Sequence, residues 1–164
     1  MLDRAYELPF GDYAECGVYT GDSGEKIAQR LAPNSTLYLC DTFTGHPFSG
    51  EFDDNRHHPK GRYSDVDLEA VKKRFSPYSN VEFVQGEFSK TLPQLDGKMF
   101  RLVHCDCDLY ESYRTVIKFF VPRMVPGGII RFDDLSAGCP GAFRAVEEAF
   151  GSPIEFYVRP NQDA

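Results

Sequence analysis

Four aspartates, by type and spacing, have the makings of a reactive centre. Asp106 and Asp108 stand two apart in the run His104-Cys-Asp-Cys-Asp-Leu-Tyr-Glu-Ser112, and Asp133 and Asp134 close the run Pro126-Gly-Gly-Ile-Ile-Arg-Phe-Asp-Asp134. Each pair follows an apolar run, the pattern of a buried strand that delivers carboxylates to a sheet edge. On an extended chain residues two apart point to one side. An adjacent pair reaches one ion only where the chain leaves its strand. Carboxylates gathered at one spot repel each other unless a proton or a cation intervenes. A hard dication suits them, and magnesium is typically held by one or two carboxylates plus substrate and water oxygens. The plain alternative is two unrelated acidic turns.

Three further stretches could hold an adenosine-like ligand. Glu15-Cys-Gly-Val-Tyr-Thr-Gly-Asp-Ser-Gly24 has glycines at 17, 21 and 24, which is not G-x-G-x-x-G. Such glycines let backbone approach a ligand and turn tightly into a helix. Glu15, inside the strand, suits a positive amino group. Asp41 follows Gly17 by 24 residues, and an acid at the end of a second strand can accept both hydroxyls of a ribose. Gln85-Gly-Glu-Phe-Ser-Lys-Thr-Leu-Pro93 offers Phe88 as a surface for adenine. Each also has a structural reading: a strand-to-helix turn, a turn acid, a loop with an anchored Phe. His46, His57 and His58 lie in one loop, where acceptor binding or acid–base work competes with simple solvation. His104 reads as a hydrogen-bonded strand residue.

The elements that would position these residues alternate. Strands are expected over 13–19, 36–40, 81–84, 99–105, 128–132 and 154–158. A helix capped by Asp22 or Ser23 runs over 24–31. A second opens at Ser64, with Asp67 three residues on in a capping-box-like arrangement and Leu68, Val71 and Phe75 on one face. Leu109, Tyr113, Val116, Ile117 and Phe120 make a third helical stripe, and Pro140, Phe143, Val146 and Phe150 a fourth. Alternating strands and helices predict an α/β fold with a mostly parallel sheet covered by helices on both faces. Ligands of such sheets bind beyond the carboxyl ends of the strands, where every polar stretch named above falls. The segment 44–63 has no periodicity, and an irregular stretch of that length is usually functional, often a lid.

Composition agrees. The 164 residues fit one domain over 1–164, and the net charge of -7 gives no general attraction for nucleic acid or anionic membranes. No apolar run approaches the roughly 20 residues that span a bilayer. Residues 1–10 carry three charges and no apolar core, unlike a signal peptide. The five cysteines are odd in number, against a disulfide framework and in keeping with a reducing cytoplasm. Cys105 and Cys107 read as small buried strand residues rather than zinc ligands.

The runs Glu15 to Gly21, Cys40-Asp-Thr-Phe-Thr-Gly-His-Pro47, Gly86 to Pro93, Asp106-Cys-Asp-Leu-Tyr-Glu-Ser112, Pro122 to Asp134 and Cys139-Pro-Gly-Ala-Phe-Arg-Ala-Val146 resemble the macrocin O-methyltransferase family. The likeness covers about residues 13 to 158. It implies a Rossmann-like class I methyltransferase fold, here lacking the closing strand, S-adenosylmethionine as methyl donor, and dependence on Mg2+. It implies metal ligation by Asp106, Asp133 and Asp134, with Asp108 beside them as catalytic acid or base. The donor would lie along Glu15, Gly17, Tyr19, Thr20 and Ser23, then Asp41, Thr42 and Phe43, then Gly86, Glu87, Phe88 and Ser89. The acceptor would be a hydroxyl of a small molecule, such as a sugar of a natural product. The ends are short for the family, which leaves room for a more open site or for a second subunit of a homo-oligomer. Two rivals stand beside this reading: a metal-dependent nucleotide-sugar or phosphoryl transferase, and a non-catalytic binding domain derived from a methyltransferase.

Overall fold

Five parallel strands form one sheet in a computed structural model that describes residues 1–151. They are β1 (Asp12–Cys16), β2 (Leu37–Asp41), β3 (Val81–Gln85), β4 (Phe100–Cys105) and β5 (Met124–Phe132), in the order β3-β2-β1-β4-β5. Every neighbouring pair is parallel. Helices α1 (Leu2–Tyr6), α2 (Asp22–Ala28), α3 (Leu68–Phe75), α4 (Phe88–Thr91), α5 (Tyr110–Phe120) and α6 (Pro140–Phe150) connect and cover it.

The strand alternation sorts the core into two layers. Ala14, Cys16, Tyr38, Cys40, Val103 and Cys105 face α5 and α6, meeting Tyr113, Val116, Phe120 and Ala142. Tyr13, Leu37, Leu39 and Leu102 face the other way, meeting Ile27, Ala28, Val71 and Phe75 of α2 and α3. Full burial of each large apolar side chain contributes about 1.5–3 kcal/mol, so the two layers hold the sheet from both sides.

The chain winds outward from β1 to β2 and β3, then returns to the other side for β4 and β5. The reversal opens a crevice between the carboxyl ends of β1 and β4. Parallel pairing persists one residue past the strand ends. Gly17 N donates to Cys40 O (3.0 Å), Gly86 N to Asp41 O (2.8 Å), Asp106 N to Cys16 O (2.8 Å) and Asp133 N to Cys105 O (2.9 Å). The first residues of four loops are therefore held as firmly as the strands.

Several expectations need correction. α2 starts at Asp22 because Gly21, at φ 88°, turns the chain into the helix, so Asp22 and Ser23 lie inside its first turn. α3 starts at Leu68, and its cap is Asp67, which accepts from Glu69 N and Ala70 N; Ser64 lies outside. β5 begins at Met124, not 128: the register slips between Phe100 and Leu102, whose partners are Met124 and Ile129, and Gly127 at φ 80° takes up the extra chain. Phe88–Thr91 is a helical turn, followed by a 3-10 turn at Leu92–Leu95, not a plain loop. The expected strand 154–158 lies outside the described residues.

Candidate active site

A cavity of about 500 Å³ occupies the crevice. The turn after β1 (Gly17, Val18, Tyr19) and the end of β2 (Asp41, Thr42) make one wall, and Glu87, Phe88 and Ser89 bound it beyond β3. Asp106, Cys107, Asp108 and Leu109 after β4, with Asp134 after β5, make the opposite wall. His46, Pro47, Phe48 and Tyr63 of the irregular segment form the roof.

The first wall is internally paired. Gly17 sits at φ 89°, and a Cβ there would overlap the Asp106 carbonyl oxygen, so only glycine lets β1 and β4 end this close together. Asp41 Oδ2 accepts from Val18 N (2.6 Å) and Tyr19 N (3.1 Å), while Oδ1 accepts from Phe43 N (2.8 Å). The second-strand acid thus braces the glycine turn while also facing the cavity.

The second wall is charged and underpaired. Asp134 Oδ2 accepts from Asp108 N (2.9 Å) and Tyr113 Oη (2.8 Å). Burial holds the Asp106 carboxyl up at about 8, and the negative charges of Asp134, Asp133 and Asp108 push the same way. Burial, then Asp108, raises Asp134 as well. The chain has left its strand by Asp108, whose φ is 59°, so Asp106 and Asp108 are not the extended same-side pair that their spacing suggested. Asp133 is engaged by Arg131. The carboxylate oxygens of Asp106, Asp108 and Asp134 thus crowd together, with His104 beside Asp106 and Cys139 beside Asp108 and Asp134, and such oxygens fit a hard dication.

The roof is tied down at its base and at its far end. His46 N donates to Arg62 O (2.9 Å) and Gly61 N to His46 O (2.9 Å). Asp53, buried, accepts from Tyr110 N (2.8 Å) at the start of α5 and from Gly50 N (2.8 Å). Phe52 packs edge-on against Tyr110, with ring centroids 4.7 Å apart. His46 Nε2 lies 3.1 Å from Asp108 Oδ2, and His58 Nδ1 lies 3.4 Å from Asp108 Oδ1. His57 is turned out to Asp54.

Ten of the expected site residues line the cavity: Gly17, Tyr19, Asp41, Thr42, Glu87, Phe88, Ser89, Asp106, Asp108 and Asp134. Glu15, Thr20, Ser23, Phe43, Gly86 and Asp133 lie outside that lining. Glu15 is fully buried with neither carboxylate oxygen hydrogen-bonded, and burial pushes its carboxyl up to about 8. A Cβ on Gly24 of α2 would collide with its Oε2, so the carboxylate packs against the start of α2, outside the cavity lining. His104 is buried between Glu15 and Asp106, 3.9 and 3.8 Å away, and burial pushes its imidazole down to about 4. Its Nδ1 has no hydrogen-bond partner, and an imidazole held this low is neutral at pH 7. All five cysteines are free and buried.

Tyr113, Asp53 and Cys139 were missed as site residues. Tyr113 read as one more apolar residue of a helical stripe, yet its hydroxyl holds Asp134. Asp53 carries no motif, and only the folded lid brings it to Tyr110.

The macrocin O-methyltransferase (TylF) family model matches residues 5–152. The chain belongs to this family. It is 30% identical over 137 residues to the 8-demethyl-8-(2,3-dimethoxy-alpha-L-rhamnosyl)-tetracenomycin-C 4'-O-methyltransferase of Streptomyces olivaceus, covering 76% of this chain and 52% of that protein. Among solved structures, the calicheamicin methyltransferase CalS11 superposes with a TM-score of 0.84 at 22% identity, over 99% of this chain and 72% of that one. The O-methyltransferase NovP superposes at 0.72 with 27% identity, over 90% of this chain and 69% of that one. These likenesses bear out the expected Rossmann-like class I methyltransferase fold. The chain spans roughly half the length of the tetracenomycin relative. No helix among the described residues is long and apolar enough to cross a membrane.

Proposed function

We propose that this chain is the core of an S-adenosylmethionine-dependent O-methyltransferase acting on a hydroxyl of a small molecule, with a sugar of a natural product as the favoured acceptor. The observation that carries it is the crevice itself. A braced glycine turn with Asp41 and Phe88 stands on one side, and a carboxylate wall at Asp106 and Asp134 stands on the other. The sugar acceptor follows from the relative named for methylating a rhamnosyl group.

S-adenosylmethionine would supply an electrophilic methyl group on a positively charged sulfur, along Gly17 to Tyr19, Asp41 and Glu87 to Ser89. Mg2+, if held by Asp106 and Asp134 with Asp133 freed from Arg131, would supply Lewis-acid stabilisation of the reacting oxygen. The residues of this chain do the rest. Asp108, facing the cavity beside the acids, accepts the hydroxyl proton, and such a base is worth typically about 10²–10⁴-fold. Tyr113 holds Asp134 in place. The lid, fastened through Asp53, keeps water from the reacting atoms and aligns them, which supplies much of the remaining acceleration. Free, buried cysteines suit a cytoplasmic protein.

A nucleotide-sugar or phosphoryl transferase would need cations against a diphosphate. Among the described residues lining the cavity there is no lysine or arginine, so this rival has less support. The test is calorimetry with S-adenosylmethionine and a nucleotide sugar, with and without Mg2+, followed by a mass-spectrometric search for a one-methyl gain on deoxysugar glycosides. Donor binding and a methylated product lost in excess chelator are expected. Binding of the nucleotide sugar alone, or of neither ligand, overturns the proposal.

A further inference from the structure

Asp108 is gripped from above by two imidazoles, and the arrangement has a gap that hydrogen bonds leave open. His58 Nε2 lies 3.1 Å from the carbonyl oxygen of Gly138. A carbonyl only accepts, so Nε2 carries the proton. In the neutral ring Nδ1 then holds a lone pair. That nitrogen lies 3.4 Å from Asp108 Oδ1 and is buried without a hydrogen-bond partner. Two acceptors this close repel, and a cation shared between them would offset that. His46 Nε2 approaches the other oxygen of the same carboxylate at 3.1 Å. One ligand atom from each of His46, His58 and Asp108 gathers within 4.8 Å.

We propose that His46, His58 and Asp108 form a binding site for a transition-metal dication of the zinc class, adjoining the oxygen set at Asp106 and Asp134. Imidazole nitrogens with one carboxylate suit zinc and its neighbours, whereas magnesium prefers oxygen alone. Zinc holds nitrogen and oxygen ligands at about 2.0–2.1 Å in a tetrahedron, which puts neighbouring ligands about 3.3 Å apart. The two contacts seen here, 3.1 and 3.4 Å, are near that spacing but run to different oxygens of the Asp108 carboxylate, so a bound ion would draw the two rings together. The bond from His58 Nε2 to Gly138 O supplies the outer support that fixes the ring of a metal-bound histidine. Both histidine side chains are 9% exposed, so the site is sheltered by the lid and not a chance surface cluster. Cys139 Sγ sits 3.4 Å from His58 Nε2 and 3.9 Å from Asp108 Oδ1, so it borders the site on its Asp108 side. With three protein ligands the fourth position is left to water.

Binding here would fasten the lid to Asp108 and occupy the carboxylate assigned above to proton transfer. The site does not rest on that assignment, because metal binding is read without any methyl transfer. The experiment is titration of the chelator-stripped full chain with Zn2+ against a chromophoric chelator, with Mg2+ in excess, alongside NMR of the histidine ring nitrogens. One tight equivalent is expected, with ring shifts at His46 and His58 and none at His57. His46→Gln and His58→Gln should each weaken binding by at least about 10–100-fold, the range seen when even outer partners are lost. His57→Ala should bind as the parent does. The ring shifts are read on the parent protein, so a variant that fails to fold leaves the test intact. Absence of saturable binding, or shifts confined to His57, overturns the proposal.

Discussion

The two walls of the crevice are built on opposite principles. At the ends of β1 and β2, the polar groups are paired with one another: Asp41 takes three backbone N–H groups. At the ends of β4 and β5 the acids crowd together, and Asp106 is held up at about 8 by burial and by three like charges. The first wall is complete as folded. The second is complete only with a positive partner. A wall that satisfies itself shapes a site, and one that does not marks where a ligand's charge belongs, because perturbed groups cluster at functional sites.

Substitutions on the two walls should therefore have opposite signatures. Asp106→Asn fixes the neutral form that burial and the neighbouring acids favour below about pH 8, and removes the oxygen that could ionise against a cation. Methyl transfer to whichever acceptor the parent accepts should fall by about 10²–10⁴-fold, the scale of losing a charge-stabilising or acid–base group. The melting temperature should hold near neutral pH and rise above the parent's toward pH 8 and beyond, where the parent's carboxyl ionises against like charges. Asp41→Ala does the reverse on the braced wall. It strands the N–H groups of Val18, Tyr19 and Phe43, an expected loss of about 1–3 kcal/mol, or roughly 2–4 °C of melting temperature per kcal/mol for a chain of this size. A melting curve in which Asp106→Asn falls as far as Asp41→Ala would erase the distinction between the walls.

The division between the walls explains what could be read from the residues in advance. The succession of strands and helices, the helix cover on both faces and the position of the polar turns follow from local patterns: apolar runs of five or six residues and glycines just beyond them. The convergence of Asp106, Asp108 and Asp134 was legible because each closes a buried strand. The pairing of Asp133 with Arg131 was not, because side chains two apart on a strand end choose partners by the path the chain takes outward. Helix starts slipped by a few residues at Asp22 and Asp67, where one glycine φ or one side-chain cap decides. The lack of periodicity over 44–63 marked that segment as functional, and it roofs the cavity. Its fastening at Asp53 and its two histidines over Asp108 depend on contacts 50 or more residues apart, which no local pattern carries.

Glu15 gives the finest test, because it belongs to the braced wall by sequence and resembles the charged wall in its electrostatics. Its carboxyl, like that of Asp106, is held at about 8 in the folded chain, far above the value of an unfolded glutamate. The folded state therefore binds more protons than the unfolded state between about pH 4 and 8, and stability must fall as pH rises through that window. His104 acts the other way below 6.5, since its imidazole is held down at about 4 and stability is lost as pH falls. Above pH 6.5 the raised carboxyls act, Asp134 alongside Glu15 and Asp106, each with a slope of up to about 1.4 kcal/mol per pH unit. Denaturant melts of Glu15→Gln between pH 6.5 and 8 should show a clearly shallower decline than the parent's. Saturating Mg2+ should remove the share of Asp106 and Asp134 and leave that of Glu15, since Glu15 packs against the start of α2, outside the cavity lining. If Mg2+ instead flattened the whole decline, Glu15 would belong to the charged wall after all.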